Sequence, residues 1–438
     1  MPAAKLEEVY RFCHNKPITL ADFDQFYVNA DQGRGKGIFN RLRRKLTDQP
    51  DGSLKILFAG HRGCGKTTEL VRLQKHIDND FIVLNFSVFK ELDILNIHYI
   101  ELFIVTMEKL FAFVQSHNIN IAKEYIDNIK NWVTSEEIQK VREKHFGADI
   151  EAGIQSGIDV PFLVKFFGRF RSAAKASSSM KETLKTTVEP KLNELIWHCN
   201  RLISEIKFQL PEINKKGLII IIEDLDKVPM NKAEELFYLH SAQLIQLNCH
   251  CIFTFPISLL YHIRFKTVAN NFDEPSVLPM LKVAERKGGE CKYGIDIIEN
   301  IIRQRMEISL FEDPAILKDM IRYSGGCLWD LFRMIRDAAD NALDFGRSKI
   351  NLEDYTSAYL FLKADYERTI ADNKERGIKV DEYYAALTLC ANDPEKKPKF
   401  SDVILDLMSN LTILNYNGEN WCDVHPMVRD ILKERKMI

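Results

Sequence analysis

The chain has no Cys-x-x-Cys pair. Its nine cysteines are Cys13, Cys64, Cys199, Cys249, Cys251, Cys291, Cys327, Cys390 and Cys422, an odd number standing mostly inside apolar runs. A disulfide scaffold or zinc ribbon is thereby excluded, and reduced thiols predict a cytoplasmic setting. The nearest approach to a metal cluster is Cys249-His250-Cys251. Neighbouring strand residues face opposite ways, so these three read as buried strand positions. Charge of one sign is also lacking: Lys+Arg is 60, Asp+Glu is 62, and the formal net charge is −2. A protein that wraps nucleic acid carries a basic excess, so any such contact must be a local patch. No apolar run approaches the ~20 residues of a bilayer span. The first residues, Met1-Pro-Ala-Ala-Lys-Leu-Glu-Glu8, lack the apolar core of a signal peptide.

What is present is an ordinary globular composition, 46% apolar and 28% charged over 438 residues. That excludes wholesale disorder and fibrous repeats, and the length fits about three domains or one elaborated core. Ala3 to Ala30 reads as short helices, with a capping-box pattern at Thr19-Leu-Ala-Asp22. Asp31-Gln-Gly-Arg-Gly-Lys-Gly37 is a glycine-rich loop before a helix at Ile38 to Leu46. Short apolar strands are predicted at Leu54–Ala59, Phe81–Ser87, Leu218–Ile222, Cys251–Phe255 and Val277–Val283. Their alternation with helices marks a parallel α/β sheet covered on both faces. A long helical stretch is predicted from Ile94 to Arg142. Gly147 to Ser179, with Gly153, Gly157, Pro161 and Gly168 and a Ser-rich end, reads as an insertion or mobile segment. It sets Lys165, Arg169, Arg171 and Lys175 among Phe162, Phe166, Phe167 and Phe170. That mixture suits a membrane surface, nucleic acid or a partner helix, or more plainly an amphipathic helix packed on its own protein.

From Gly294 the pattern is helical: Ile295–Ile308, then Cys327–Phe345 after Ser324-Gly-Gly326, then a helix capped at Ile350–Asp354. The tail reads as helix (Asp381–Ala391), helix (Phe400–Asn410), hairpin and helix (His425–Leu432, Pro426 in its first turn). The hairpin arms, Ile413–Tyr416 and Trp421–Val424, join through Asn417-Gly418, which favours a tight turn. This order is that of a winged helix. The expected organisation is an N-terminal helical segment (1–25), a core (26–290) with a helical insertion at about 94–215, a helical lid (291–370) and a winged helix (371–438).

Gly60-His61-Arg62-Gly63-Cys64-Gly65-Lys66-Thr67-Thr68 matches G-x-x-x-x-G-K-[ST], directly after a strand and opening a helix. Glycines let the backbone curl so that its N–H groups point inward at phosphate oxygens, and the helix start adds its positive end. Lys66 can reach the β- and γ-phosphates, and the Thr67 hydroxyl can hold Mg²⁺. The complementary half is Leu218-Ile-Ile-Ile-Ile-Glu223-Asp224-Leu225-Asp226-Lys227, an apolar strand ending in acids. By register Glu223 is the metal-side carboxylate, Asp224 the water-activating candidate and Asp226 a possible substitute. Thr254 could read the γ-phosphate from the next strand end, or fill the strand. Arg303 and Arg305 could reach phosphate, in cis or from a neighbouring subunit, or form a solvated helical face.

Together these pieces resemble the additional-strand-Glu P-loop ATPases of the AAA+/STAND side, over roughly Phe26 to Leu432. The Glu223-Asp-Leu-Asp-Lys227 stretch is similar to the acidic motif of KAP-type and STAND ATPases. Further matching pieces are Phe253-Thr-Phe-Pro256, Tyr323-Ser-Gly-Gly326 and Trp421-Cys-Asp-Val-His-Pro426. The resemblance implies an α/β P-loop sheet with a helical lid and a C-terminal winged helix. It implies ATP and Mg²⁺ as ligands, with adenine clasped at Tyr27, Val28 and the loop to Asn40. It also implies a homo-oligomer, a separate effector or partner protein, and a role in signalling or anti-phage defence. Two departures stand out. Aspartate is commoner at the position of Glu223. Trp329 takes the place of the lid arginine that follows Gly-Gly in this group, so either Arg333, one turn on, substitutes for it or lid sensing is weak.

The helix before the wing carries Asp402 and Asp406 and no cation, so repulsion by a phosphate-lined groove favours a docked module over a DNA reader. The expectation is a regulatory ATPase. An initiator-like DNA-associated ATPase, a small-molecule kinase and a non-hydrolysing nucleotide-gated scaffold are the alternatives.

Overall fold

The computed structural model describes residues 2–34, 37–416 and 421–438. Five parallel strands form its centre: β1 (Lys55–Gly60), β2 (Phe81–Ser87), β3 (Gly217–Glu223), β4 (His250–Pro256) and β5 (Asp273–Val277), in the order β2-β3-β4-β1-β5. Every residue of β1, β3 and β4 is buried, as unbroken apolar runs require when helices cover both faces. The register pairs Ser87 with Glu223 and Gly60 with Pro256. The carboxyl ends of the strands therefore finish together, at the edge where α/β sheets place their sites.

β5 corrects the expected strand at Val277–Val283. The strand lies earlier, and its Asp273-Glu-Pro-Ser-Val277 sequence conceals it, because edge strands tolerate charge and proline. Past β5 the chain keeps one more bond to β1, from Leu278 N–H to the Ala59 carbonyl at 2.7 Å, before it leaves the sheet.

The stretch expected as one helix from Ile94 to Arg142 is three: Tyr99–Ser116, Lys123–Thr134 and Glu136–His145. The first ends where Asn118 takes φ 51°, a conformation asparagine tolerates. Residues 147–179, expected as an insertion or mobile segment, are mostly helical, at Ala148–Ser156 and Val160–Ala176. Asp159 caps the second helix by accepting from Phe162 N–H at 2.8 Å, with Pro161 in its first turn. Phe162, Phe166, Phe167 and Phe170 all face inward on the Tyr99–Ser116 side, and Trp132 stacks on Phe167 at 6.1 Å. The cations are committed as well: Arg171 pairs with Glu108 and Glu91, while Lys165 and Arg169 pair with Asp149. The aromatic half of the mixture is an internal helix face, and its cations pair beside it at the surface. The helix Leu192–Phe208 then leads back towards β3.

His250 is likewise internal. Its Nδ1 accepts from Leu54 N–H at 3.1 Å and its Nε2 bonds the Gln49 carbonyl at 2.8 Å. Among the described residues no three metal-ligating side chains converge, and no helix is long and apolar enough to cross a membrane.

The region expected as a lid holds four main helices, Lys292–Arg303, Pro314–Tyr323, Leu328–Asp344 and Leu352–Thr369. The C-terminal module, helices Val380–Asn392 and Asp402–Ser409, hairpin β6 (Ile413–Tyr416) and β7 (Trp421–Val424), then helix Pro426–Glu434, is consistent with a winged helix. Its Asn417-Gly418 turn lies outside the described residues. The helix before the wing turns inward. Asp406 accepts from Tyr383 and Asn373, and Ser409 bonds Ser258 of the core at 3.1 Å. Phe400 stacks on Tyr261 at 4.3 Å.

Because Phe167 is fully buried, Phe167→Ala should cost about 3–5 kcal/mol of stability. Lys165→Ala should stay within about 0.5 kcal/mol. Urea unfolding of both variants measures this, and similar midpoints would contradict the assigned helix face.

Candidate functional site

Between β1 and the helix Lys66–Ile77 the backbone curls through Gly63 (φ 79°) and Gly65 (φ 97°), a left-handed region that costs other residues most. Gly65 occupies the N-cap position without a side-chain cap, so the first helical N–H groups are left for an anion. Lys66 is buried. Its Nζ donates to the Gly60 and His61 carbonyls at 2.8 Å each and pairs with Asp226 at 2.9 Å. Burial opposes its charge, yet Asp226, Cys64 and Asp224 outweigh that and hold its pKa above the ordinary value. The lysine is thus surrounded by acceptors at the place a phosphate would occupy.

Glu223 closes β3 and is 5% exposed. Asn85 of β2 donates to it at 2.7 Å, and the Thr67 hydroxyl faces the same carboxylate. Burial raises its pKa, and those two donors partly offset the rise. Thr67 and Glu223 therefore meet from opposite halves of the motif, a hydroxyl-carboxylate pair that fits a hard cation such as Mg²⁺. Asp224 turns the chain with φ 68°, unusual outside glycine. Ser87 bonds its Oδ2, and Lys227 pairs with its Oδ1 at 2.6 Å. Asp226 stands as the counter-ion of Lys66 rather than beside Glu223's donors.

The remaining sequence candidates are placed differently. Thr254 is 1% exposed, and its hydroxyl accepts from Leu225 N–H at 3.0 Å, supporting the acidic turn from below. Its oxygen is committed there, not to a phosphate. Arg305 donates to the Phe26 and Ile301 carbonyls and faces the rings of Phe26 and Phe332. It ties the N-terminal segment to the lid. Arg303 pairs with Glu299 on its own helix. Arg333 pairs with Asp365 and, at 3.7 Å, with Asp337, and lies over Phe361; it is turned onto the neighbouring lid helix. Tyr27 stacks on Phe23 at 4.4 Å with its hydroxyl buried and without a hydrogen-bond partner among the described residues, and Val28 packs against the lid core. Thr68 lies in the first turn of the P-loop helix.

Several site residues carry no local sequence signal. Arg34 bonds the Cys64 carbonyl at 2.5 Å and pairs with Glu69 at 2.8 Å, so the glycine-rich stretch clasps the P-loop from outside. Arg72 extends the network to Asp31 and Glu69. Asn85 and Ser87 sit at the end of an apolar strand and position both acids. The strand spacing brings them there, since parallel neighbours in register share an edge.

His61 links the P-loop to the C-terminal module. Asn415 N–H of β6 donates to its Nε2 at 2.7 Å, which places the ring proton on Nδ1. Tyr416 of the same strand donates to the Gly325 carbonyl at 2.8 Å, and His425 bonds the Ser324 carbonyl at 3.2 Å. The hairpin is seated on the P-loop and the lid together. Burial, then the Lys66 charge, push His61 from 6.5 down to about 3.

Below the ordinary 6.5 the unfolded chain accepts a proton that folded His61 refuses until about 3. Stability is therefore lost as pH falls through that window. The wild type should lose about 1.4 kcal/mol more per pH unit than His61→Gln between about pH 6 and about pH 4. Urea unfolding at stepped pH reads this directly, and parallel stability curves would show that His61 is not the shielded group.

No family model matches the chain, and no curated protein matches it. Among solved structures, it is similar to the Aeropyrum pernix ORC2 protein in its ADPNP-ADP complexes. There the TM-score is 0.43 at 12% identity, over 98% of each chain. It is similar to Cdc6p from Pyrobaculum aerophilum with a TM-score of 0.37 at 11% identity, covering 94% of this chain and 98% of that one. A point variant of RuvB from Thermotoga maritima gives 0.34 at 10% identity, covering 95% and 97%. At such scores and identities the chemistry has to be read from this chain's own residues.

Proposed function

We propose that this protein binds ATP with Mg²⁺ and hydrolyses it, and that the bound nucleotide biases the C-terminal module between a docked and a released position. The observation that carries this reading is the meeting of Lys66 with Asp226, and of Thr67 with Glu223, at the aligned ends of β1 and β3. ATP would supply the phosphoryl group and Mg²⁺ the charge that neutralises its tail. The chain's own residues do the rest. Lys66 exchanges the Asp226 carboxylate and two carbonyls for phosphate oxygens. Thr67 and Glu223 hold the metal side. Asp224, fixed through Oδ2 by Ser87 and through Oδ1 by Lys227, orients a water and takes its proton.

Docking through His61 supports the switch. A ligand shifts such an equilibrium only if it prefers one state, and the His61 carbonyl held by Lys66 belongs to the residue whose ring holds β6. The wider regulatory role, with further copies of the chain and a separate effector in signalling or defence, is supported by the AAA+/STAND resemblance alone. An initiator-like DNA-associated ATPase is the second reading. It requires salt-sensitive DNA binding, and the inward-turned Asp402–Ser409 helix does not favour it.

Magnesium-dependent phosphate release tests the proposal. Asp224→Asn should lower release by about 10²–10⁴-fold with nucleotide retention intact. Lys66→Ala should lose retention itself. Equal release from wild type and Asp224→Asn would remove Asp224 from the chemistry. Retention without release would favour the non-hydrolysing scaffold, and release only with an added acceptor would favour the kinase.

A further inference from the structure

The cations around the proposed site differ in one respect. Lys66 is held by Asp226, Arg34 by Glu69, Lys227 by Asp224 and Arg333 by Asp365 and Asp337. Arg62 is the exception. Among the described residues its guanidinium has neither an ion pair nor a hydrogen bond. It lies over the indole of Trp329, 5.3 Å from the ring centroid. It belongs to the phosphate loop itself, between Gly60 and Gly63.

The backbone beneath it is fixed on both sides. Leu328 N–H of the lid donates to the Gly63 carbonyl at 3.3 Å, and the Cys327 thiol faces the Arg62 carbonyl at 3.9 Å. A Cβ on Gly63 would lie 2.7 Å from Cys327 Sγ and 3.1 Å from Trp329 Cβ. The start of the lid helix Leu328–Asp344 is thus closed onto the loop, and Trp329 is the surface on which the arginine rests. An indole face holds a guanidinium through its ring quadrupole while leaving the N–H edge unused. A phosphate oxygen is a far stronger partner for that edge, because both groups are charged and the fork geometry matches.

We propose that Arg62 is the residue by which this protein distinguishes a nucleoside triphosphate from a diphosphate, with Trp329 as its positioning residue. The inference rests on the nucleotide-binding reading above and adds which cation meets the third phosphate. Arg333 is removed from that role by its acidic partners. With a triphosphate present Arg62 leaves the indole for the terminal phosphate; with a diphosphate it stays. Because Trp329 is part of the lid, the choice is felt where the lid touches the loop.

The test compares Mg-ATP and Mg-ADP binding, by calorimetry and by tryptophan emission, in wild type, Arg62→Ala, Arg62→Lys and Trp329→Phe. Arg62→Ala should weaken ATP binding about tenfold or more and leave ADP within about twofold. Arg62→Lys should recover part of the loss, since charge is kept and the fork is not. ATP, but not ADP, should change the emission of wild type, and that change should vanish in Trp329→Phe and in Arg62→Ala. Equal loss of ATP and ADP, or no loss of either, would overturn the proposal while Lys66-dependent binding leaves the nucleotide reading standing. Wild type that retains neither nucleotide overturns both. Arg62 is exposed, so thermal melts matching wild type separate lost recognition from lost folding.

Discussion

A buried ammonium needs an anion, and the arrangement around Lys66 follows from that requirement. Removing a charge from water costs several kcal/mol unless partners replace the solvent. Here the replacement is one carboxylate and two carbonyls drawn in by the curl of the loop. The aligned strand ends put Asp226 within reach, and the glycines give the loop the conformation that turns its carbonyls towards the lysine. Any ligand that claims Lys66 must outcompete these acceptors and leave Asp226 to be satisfied elsewhere. Under the proposed reading the site is a poised exchange of partners, in which a strongly anionic ligand takes the place of Asp226.

The same loop is a meeting point for three distant parts of the chain. Arg34 reaches it from the stretch ahead of β1, Leu328 from the lid and Asn415 from the C-terminal hairpin. Each contact uses a backbone group of the loop or the ring of His61. These groups must be satisfied when buried, so no segment can withdraw without exposing or orphaning its partner. That gives the loop a mechanical connection to both C-terminal regions that needs no long pathway of intervening residues.

The parts of this architecture written in consecutive residues were legible from sequence. The glycine-lysine-threonine spacing, the apolar run ending in Glu223-Asp224, and the alternation of strands and helices are local patterns, and the parallel sheet follows from them. What escaped was written in pairs. Arg34 and Glu69 stand 35 positions apart, and His61 and Asn415 stand 354 apart. No periodicity links such residues; only the completed fold does. Thr254 shows the same limit at shorter range, since a β-branched residue at a strand end is identical in sequence whether its hydroxyl faces a ligand or the neighbouring backbone. β5 was placed too late, at Val277–Val283, because proline and two acids hide the apolar run of an edge strand. The phenylalanines of residues 160–176 pack as the plainer reading had it, but which helix covers them was not legible, because that helix lies some fifty residues earlier.

Strands β2 and β3 are side by side in the sheet, yet the insertion separates Ser87 from Gly217 in the chain. During synthesis at about 5–20 residues per second, on the order of ten seconds pass before β2 meets its neighbour. Throughout that interval its hydrogen-bonding edge is a template for aggregation. The intervening helices place Phe111, Trp132 and Phe167 in the same apolar cluster as Leu57, Leu218 and Phe253 of the sheet, so the insertion and the strand it keeps waiting are completed together.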